Sequence, residues 1–250
     1  MLIQLLLGLI VAFLTSCFDA SEQSVEEILD NIESTEVVSL TANVVYTRTD
    51  PILDRREIRT GRVLFRKVDG GKREAAILFD TLIIGRRKEE KQKHYIFSGR
   101  WMAEVDHEKK QFIKRELVYP DEESVDPFEL GNGPIPLPIG QSKVSVLKQF
   151  AVELISRPSE GPLSKLDENV IGLHLVPKAK DEWEFVDLFY DPDTWLPVGV
   201  RTVELDGTKR VSRLTNMQKD VLSVEDSQLL NIETPDPKEW TIDIQFLRVD

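Results

Sequence analysis

The residue types in this 250-residue chain that could carry acid–base or metal chemistry are three histidines and many carboxylates. His94, His107 and His174 do not occur in a metal-binding spacing such as His-x-x-x-His, so the sequence does not predict a zinc site. Asp106-His107-Glu108 combines reactive residue types but falls where the chain must turn between two apolar runs. The sequence contains no Gly-x-Ser-x-Gly motif. A carboxylate pair of the glycosidase type stays open, but nothing singles one out. We therefore predict a protein that is not an enzyme and needs no cofactor or metal.

Cys17 is the only cysteine in the chain, which excludes an internal disulfide. It follows the apolar segment 1–13, which is too short to span a bilayer comfortably and is typical of a signal peptide. Leu14-Thr15-Ser16-Cys17 resembles a bacterial lipobox, in which the cysteine is lipidated. We predict a signal peptide over residues 1–20 and an exported, periplasmic protein that is anchored to an envelope membrane if Cys17 is lipidated. Because no Lys or Arg precedes the apolar segment, ordinary cleavage near Ala20 and a misassigned start codon stay open as alternatives.

The composition describes a globular protein with an acidic surface. Apolar residues make up 41% of the chain and charged residues 30%, and the formal net charge is −12. Nucleic acids and anionic membranes both require a basic surface. The charge therefore argues against either of them as the main partner.

Residues 173–216 alternate apolar and polar side chains with period two, which is typical of half-buried strands. The connections between the alternating runs are too short for a crossover helix, and Asp206-Gly207 is a strong signal for a hairpin turn. The sequence predicts an antiparallel meander with strands at residues 173–177, 183–190, 196–205 and 210–216.

The second predicted strand carries bulky apolar side chains on both faces. Trp183, Phe185 and Phe189 fall on one side, and Val186 and Leu188 fall on the other. An antiparallel sheet with one face in water lacks this pattern. Either both faces belong to an ordinary core, or one of them lines an apolar hollow.

Two helices accompany the strands. Ser24-Val25-Glu26-Glu27 is a capping box, and it opens a helix whose apolar stripe should lie on the sheet. The stripe consists of Val25, Ile28, Leu29 and Ile32. The spacing of Val144, Leu147, Ala151 and Leu154 predicts a second helix over residues 142–155.

A second meander is predicted upstream, over residues 40–117, with a charged loop at residues 85–93, and a short last strand is expected near residues 240–247. This gives ten or eleven strands. The predicted fold class is α+β, mainly β, with a single large curved antiparallel sheet covered by two or more helices, because an open sheet of that size tends to curl.

The order of several short motifs resembles the bacterial lipoprotein-carrier family, the LolA/LolB-like proteins. The shared pieces are an N-terminal helix running into a strand and four motifs along the chain. Residues 61–67 are similar to the family's Gly-x-Leu-Trp-x-Lys-Arg strand, and residues 98–102 to its Asp-Gly-Lys-x-Leu-Trp turn. Residues 175–179 are similar to its Leu-x-Pro-Lys strand end, and residues 232–235 to its Phe-x-Phe-x-Pro-Pro ending. The resemblance covers nearly the whole chain after the signal peptide.

The resemblance implies an unclosed half-barrel over residues 21–250, with a helical lid over an apolar cavity that holds the acyl chains of lipoproteins or other lipids. The expected function is carriage in outer-membrane lipoprotein sorting, with inner- or outer-membrane sorting machinery as partners. The implied lid face is Val25, Ile28, Leu29 and Ile32. The candidate cavity lining is Val44, Tyr46, Val63, Phe65, Phe79, Trp101, Val186, Leu188 and Val198.

One position departs from the family pattern. The arginine that tethers the lid in the family matches Lys67 here, and the ammonium of lysine lacks the two-pronged geometry of a guanidinium. Lys67 is therefore the candidate for control of the lid. The alternative to a carrier is an envelope sensor or interaction domain on the same scaffold, and a hydrolase is a third interpretation.

Overall fold

The computed structural model describes residues 23–119, 138–180 and 182–247. Its three α-helices are α1 (Val25–Glu33), α2 (Lys143–Gln149) and α3 (Val224–Gln228). The strands of the N-terminal half are β1 (Ser39–Asp50), β2 (Arg55–Lys67), β3 (Arg73–Ile84), β4 (Arg87–Ser98), β5 (Trp101–Asp106) and β6 (Gln111–Glu116). The strands of the C-terminal half are β7 (Phe150–Ile155), β8 (Ile171–Pro177), β9 (Trp183–Tyr190), β10 (Pro197–Glu204), β11 (Lys209–Lys219) and β12 (Thr241–Gln245).

All twelve strands form one sheet in the order β12-β6-β5-β4-β3-β2-β1-β11-β10-β9-β8-β7. Within the described residues, the first and last strands of this order do not pair, so the sheet is an unclosed half-barrel. Every pairing is antiparallel except that of β12 with β6, which is parallel. The predicted fold class, a single large antiparallel sheet with helices, is confirmed.

The pairing of β1 with β11 joins two meanders into this one sheet. The upstream meander is β1–β6 and the downstream meander is β7–β11, and the joining ladder includes the pairs Val44 with Leu214 and Tyr46 with Ser212. The downstream strands lie within a few residues of their predicted bounds. Gly207 closes the β10–β11 turn with φ +82°, the left-handed conformation that the hairpin signal requires.

Two predicted segments are wrong. Residues 85–93 are predicted as a loop, but Gly85, with φ +61°, closes a tight turn and β4 begins at Arg87. This part of β4 is solvated and lacks apolar alternation, and its charges pair with one another, as in Arg87–Glu89 at 2.5 Å. The pattern therefore carries no strand signal.

The predicted helix over residues 142–155 ends at Gln149, and β7 follows it. Residues 150–155 pair with β8 along their whole length, so the backbone donors that a helix would satisfy internally are satisfied by the neighbouring strand. Ala151 and Leu154 are compatible with either period in so short a segment. Val146 and Phe150 are buried there, whereas Val144 is exposed.

Helix α1 is built as its sequence predicts. The Ser24 hydroxyl accepts a hydrogen bond from the backbone N–H of Glu27 at 3.2 Å, and the Glu27 carboxylate accepts one from the Ser24 N–H at 2.9 Å. This capping box fixes the first turn. Ile28, Leu29 and Ile32 are buried against the sheet. We call the face of the sheet that carries α1 and α2 the helix face, and the other the opposite face.

Residues 222–247, here called the C-terminal strap, cover part of the opposite face. Leu230 is fully buried against a cluster that includes Leu64 and Leu78. The Arg66 guanidinium anchors the strap by donating to the Ser227 carbonyl at 3.1 Å and to the Asn231 side-chain oxygen at 3.0 Å. Over the three described ranges, no helix is long and apolar enough to cross a membrane.

The strap offers a direct test of how strongly the opposite face depends on it. Leu230 is 0% exposed and Leu229 is 36% exposed. We expect Leu230→Ala to lower the free energy of unfolding by about 2–4 kcal/mol, because it opens a cavity over β2 and β3. Leu229→Ala, the matched control, should cost less than about 1 kcal/mol. Urea unfolding followed by circular dichroism measures both, and equal losses would contradict the assigned packing.

Candidate functional site

The strand register decides which side chains share the helix face. Residues directly opposite each other on neighbouring strands point to the same face. Val63 pairs with Ala42 on β1 and with Ile77 on β3, and Val186 pairs with Leu175 on β8 and with Thr202 on β10. Continued from strand to strand, this register places most of the predicted lining on the helix face: Val44, Tyr46, Val63, Phe65, Phe79, Val186 and Leu188.

Helices α1 and α2 pack over one half of this face. Ile28, Leu29 and Ile32 of α1 and Val146 of α2 form one buried cluster with the apolar side chains of β7–β10. Val25 is half-buried and packs at the edge of this cluster. The predicted lid stripe therefore lies against the C-terminal half of the sheet.

The other half of the helix face carries a second apolar cluster. Its members from β1–β4 and β11 are Leu40, Ala42, Val44, Val63, Phe65, Ala75, Ile77, Phe79, Phe97 and Leu214. Among the described residues, the contributors outside the strands are Val37, Leu117, Ile139 and Leu196. The apolar helix face thus continues well beyond the strands that α1 and α2 contact.

The apolar surface ends in an aromatic group. The ring centroids of Tyr46 and Phe79 are 5.7 Å apart, and those of Phe79 and Tyr95 are 6.3 Å apart. Burial raises the pKa of Tyr46 to about 12, which keeps its hydroxyl protonated at neutral pH. Four cationic side chains share the same face at this end: Arg48, Arg59, Lys93 and Arg210.

Two of these cations contact the aromatic rings. The Arg59 guanidinium lies 5.9 Å from the Phe79 ring centroid, and the Lys93 ammonium lies 5.3 Å from that of Tyr95. Lys93 also pairs with Glu104 at 2.7 Å. Arg48 pairs with Asp50 at 3.9 Å and Arg210 with Glu204 at 2.6 Å, so Arg59 is the cation at this end that has no ion-pair partner within the described ranges. The helix face therefore runs from an apolar middle to an aromatic end, where Arg59 suits the anionic head group of an amphiphile.

Polar contacts fasten the α2 region to the sheet. The Arg73 guanidinium donates to the carbonyl oxygen of Ile139 at 2.7 Å, and the Tyr190 hydroxyl donates to that of Pro138 at 3.2 Å. The Lys143 ammonium joins α2 to α1 through the Asp30 carboxylate at 2.9 Å. Arg73 thus makes a contact with the segment before α2 of the kind that was expected of Lys67. The side chain of Lys67 is exposed, although Lys67 pairs directly with Arg73.

Other predicted site residues lie elsewhere. Trp101 is on the opposite face, where its ring centroid is 5.5 Å from that of Phe246 in the C-terminal strap. The register places Met102, not Trp101, beside Phe97 on the helix face. Val198 lies in the irregularity between Pro197 and Gly199, where it is half-buried. Cys17 lies outside the described residues.

Sequence patterns missed several residues of the helix face. Ile77, Leu173, Val200 and Leu214 are buried in its two clusters. Their alternation within each strand is visible in the sequence, but which alternate set faces the helices depends on the register. No sequence pattern singles out Arg73, because the carbonyl groups that it contacts lie more than sixty residues further along the chain.

His94 and His107 contact each other on the opposite face. His107 Nε2 lies 3.2 Å from His94 Nδ1, and the ring centroids of His107 and Trp240 are 5.5 Å apart. Burial, with His107 and Arg62 nearby, lowers the pKa of His94 to about 4. Burial also lowers the pKa of His107. No group of three or more metal-binding side chains occurs within the described ranges.

The histidine pair predicts a pH dependence of stability. Because the folded-state pKa of His94 lies below the unfolded value of 6.5, the unfolded chain binds more protons between these values. The stabilisation is therefore complete above pH 6.5 and is lost as the pH falls toward 4. Between pH 7 and pH 5, the free energy of unfolding should fall by about 2 kcal/mol less in the His94→Gln variant than in the parent protein.

Urea unfolding of both proteins at pH 7 and pH 5 measures this difference. Because the two proteins carry the same carboxylates, the titration of the carboxylates contributes equally to both and cancels in the comparison. Identical losses in the two proteins would show that His94 titrates normally in the folded state.

Of three comparisons with known proteins, the one with solved structures found matches. No family model matches the chain, and no curated protein matches it. Several solved structures are similar. An uncharacterized conserved protein from Thermus thermophilus has a TM-score of 0.47 at 12% identity, over 89% of this chain and 100% of that one.

Two further similar structures are of named proteins. MucB of Pseudomonas aeruginosa, in its complex with MucA, has a TM-score of 0.42 at 14% identity, over 83% of this chain and 60% of that one. A LolA superfamily protein from Nitrosomonas europaea has a TM-score of 0.33 at 11% identity, over 84% of this chain and 98% of that one. These values describe a distant likeness of fold and carry no function to this chain. The half-barrel assignment rests on the strand order itself.

Proposed function

We propose that this protein is an exported carrier that binds acyl chains on the helix face of its half-barrel, in the sorting of lipoproteins or other lipids to the outer membrane. The observation that carries the proposal is the extent of the apolar helix face, which continues over β1–β4 beyond the strands that α1 and α2 contact. The proposed carrier domain spans residues 21–250, after a signal peptide at residues 1–20.

The energetics of acyl burial suit such a surface. Each buried methylene gains about 0.8 kcal/mol, so ten of them gain about 8 kcal/mol before the cost of association. A net affinity in the micromolar range, about −8 kcal/mol, therefore needs more than ten buried methylenes, as a long acyl chain offers, and needs no polar contact with the chain. The aromatic end of the helix face would hold an anionic head group beside Arg59.

Helices α1 and α2 would act as the lid. Exposed ion pairs such as Lys143–Asp30 contribute little to stability, so they offer little resistance to opening. The apolar stripe of α1 is the larger contribution, and an acyl chain would replace its contacts with the sheet. The Arg73 contact with the Ile139 carbonyl would hold the closed position.

The membrane attachment of the carrier depends on Cys17. If Cys17 is lipidated, the protein would be tethered to an envelope membrane and would receive or hand over its cargo there. If the chain is cleaved near Ala20, it would move freely in the periplasm. Inner- or outer-membrane sorting machinery would be the partner in either case.

One observation favours the alternative, an envelope sensor or interaction domain. The β1–β2 turn exposes two large apolar side chains, Ile52 at 80% and Leu53 at 66%. Exposed apolar side chains at a loop tip are typical of a surface that meets a partner. Such a domain would use this tip and would not need to hold an acyl chain.

Two neighbours on β3 test which face binds lipid. Phe79 lies on the helix face and Leu78 on the opposite face, and both are buried. We expect the protein to bind a fluorescent fatty acid, and Phe79→Ala to weaken binding roughly five- to tenfold because an aromatic contact is lost. Leu78→Ala, the matched control, should lower the melting temperature without changing the affinity.

Titration monitored by fluorescence measures the affinities, and calorimetry measures the melting temperatures. A protein that takes up no fatty acid, and that yields no lipid when purified from a bacterial envelope, would favour the interaction domain.

The lid contact has its own test. Arg73→Gln removes a charge-assisted hydrogen bond of the closed position, so release of the fatty acid should become about tenfold faster. Lys67→Gln is the matched control, because Lys67 pairs with Arg73 on the neighbouring strand but its side chain is exposed. Stopped-flow displacement by excess unlabelled fatty acid gives both rates. Unchanged release in Arg73→Gln would contradict a role in closing the lid.

A further inference from the structure

A cavity of about 380 Å³ opens on the opposite face of the sheet, away from both helices. Its floor is a row of three side chains on adjacent strands, because Val211 of β11 pairs with Thr47 of β1 and with Arg201 of β10. Its wall is the segment from Pro158 to Leu163, which lies before β8. The function proposed above uses none of these groups.

The wall of this cavity is firmly built. Leu163 is buried against β10 at Gly199, where a Cβ atom would lie 2.8 Å from Leu163 Cδ2 and 2.9 Å from Leu166 Cδ1. A side chain at this position would require Leu163 and Leu166 to move away from the sheet. The Arg157 guanidinium also donates a hydrogen bond to the Ser164 carbonyl. The cavity is therefore shaped by packing on both sides.

Two cations, Arg56 and Lys209, stand at the rim of this cavity. Both pair with Thr49, one from each neighbouring strand, so the three side chains lie abreast on one face. Throughout the described ranges, neither Arg56 nor Lys209 has an ion-pair partner. The backbones of β2 and β11 are about 10 Å apart across β1, so these long side chains can converge on one anion above Thr49.

The third cation, Arg201, is already neutralised. Its Nε donates to the fully buried Asp187 carboxylate at 2.5 Å, and His174 Nδ1 lies 2.6 Å from the same group. The Phe185 ring lies 5.5 Å from the Arg201 guanidinium. These contacts hold Arg201 as part of the floor. Glu160 is the carboxylate among the lining residues, and its negative charge partly offsets the positive charges of the two rim cations.

We propose that this cavity is a binding site for a small anionic amphiphile, with a carboxylate or phosphate group at Arg56 and Lys209 and a short apolar body against Val211 and Leu163. The volume lies near the lower end of the range for ligand sites, about 300–1,000 Å³, which suits one short chain and not a diacyl lipid. The site is separate from the proposed acyl site, since the sheet lies between them.

Octyl phosphate is a suitable probe, with inorganic phosphate as the head-group control and octyl glucoside as the uncharged control. Methyl-labelled protein reports the location of binding by NMR. We expect octyl phosphate to shift the methyl resonances of Thr47, Thr49, Val211 and Leu163 at concentrations where octyl glucoside does not. Equal affinity for inorganic phosphate would overturn the role of the apolar body.

Single substitutions test the charges. Arg56→Gln and Lys209→Gln should each weaken octyl phosphate binding about tenfold in calorimetric titrations, whereas Glu160→Gln should strengthen it about twofold. Arg55→Gln is the matched control, because Arg55 pairs with Glu57 at 2.8 Å and belongs to the helix face. The Arg55→Gln variant should bind octyl phosphate with the same affinity as the parent protein.

The experiments can contradict the proposal for this cavity and the proposed carrier function independently of each other. Shifts confined to helix-face methyl groups such as those of Val44 and Val63 would overturn this site while supporting the proposed carrier function. Conversely, binding at Thr47 and Val211 in a protein that takes up no long-chain fatty acid would support this site and count against the carrier. Equal effects of Arg55→Gln and Arg56→Gln would also overturn it.

Discussion

Bulky apolar side chains on both faces of a single sheet constrain the rest of this structure. Leu78 and Phe79 are adjacent on β3, point to opposite faces and are both buried. Water cannot be left on either side of such a strand without a large cost in exposed apolar surface. The two helices and the C-terminal strap remove this apolar surface from water. Helices α1 and α2 cover part of the helix face, and the strap covers part of the opposite face.

The division into two covered faces also separates the functional possibilities. The helix face has a buried apolar cluster that extends beyond the strands contacted by α1 and α2, and the face ends in tyrosines beside ion pairs. The opposite face is closed by the strap at one side and by the segment before β8 at the other, where Leu163 packs on Gly199. Between the covers lies the small cavity with Arg56 and Lys209 at its rim. The large apolar cluster and the small cavity therefore lie on opposite faces of one sheet.

Most strands could be predicted from local pattern, and the failures have physical causes. The strand β9 shows alternating apolar side chains and its predicted bounds are those observed, whereas the first half of β4 carries charges on both sides and resembles a loop. The segment after Gln149 fits either period, and it became a strand because β8 offered an unpaired edge. Tertiary pairing overrides local preference where the preference is weak.

The sequence by itself determined most of the elements: the capped helix α1 with its apolar stripe, the hairpin at Asp206-Gly207, and one large sheet with a strand that is apolar on both faces. These follow from side-chain period and turn chemistry, which act within a few residues. Only the tertiary structure decided that β1 pairs with β11, that Trp101 lies on the face away from the helices, and that Arg73 contacts the Ile139 carbonyl. These depend on register and on contacts between distant segments, and a one-residue change of register moves every side chain of a strand to the other face.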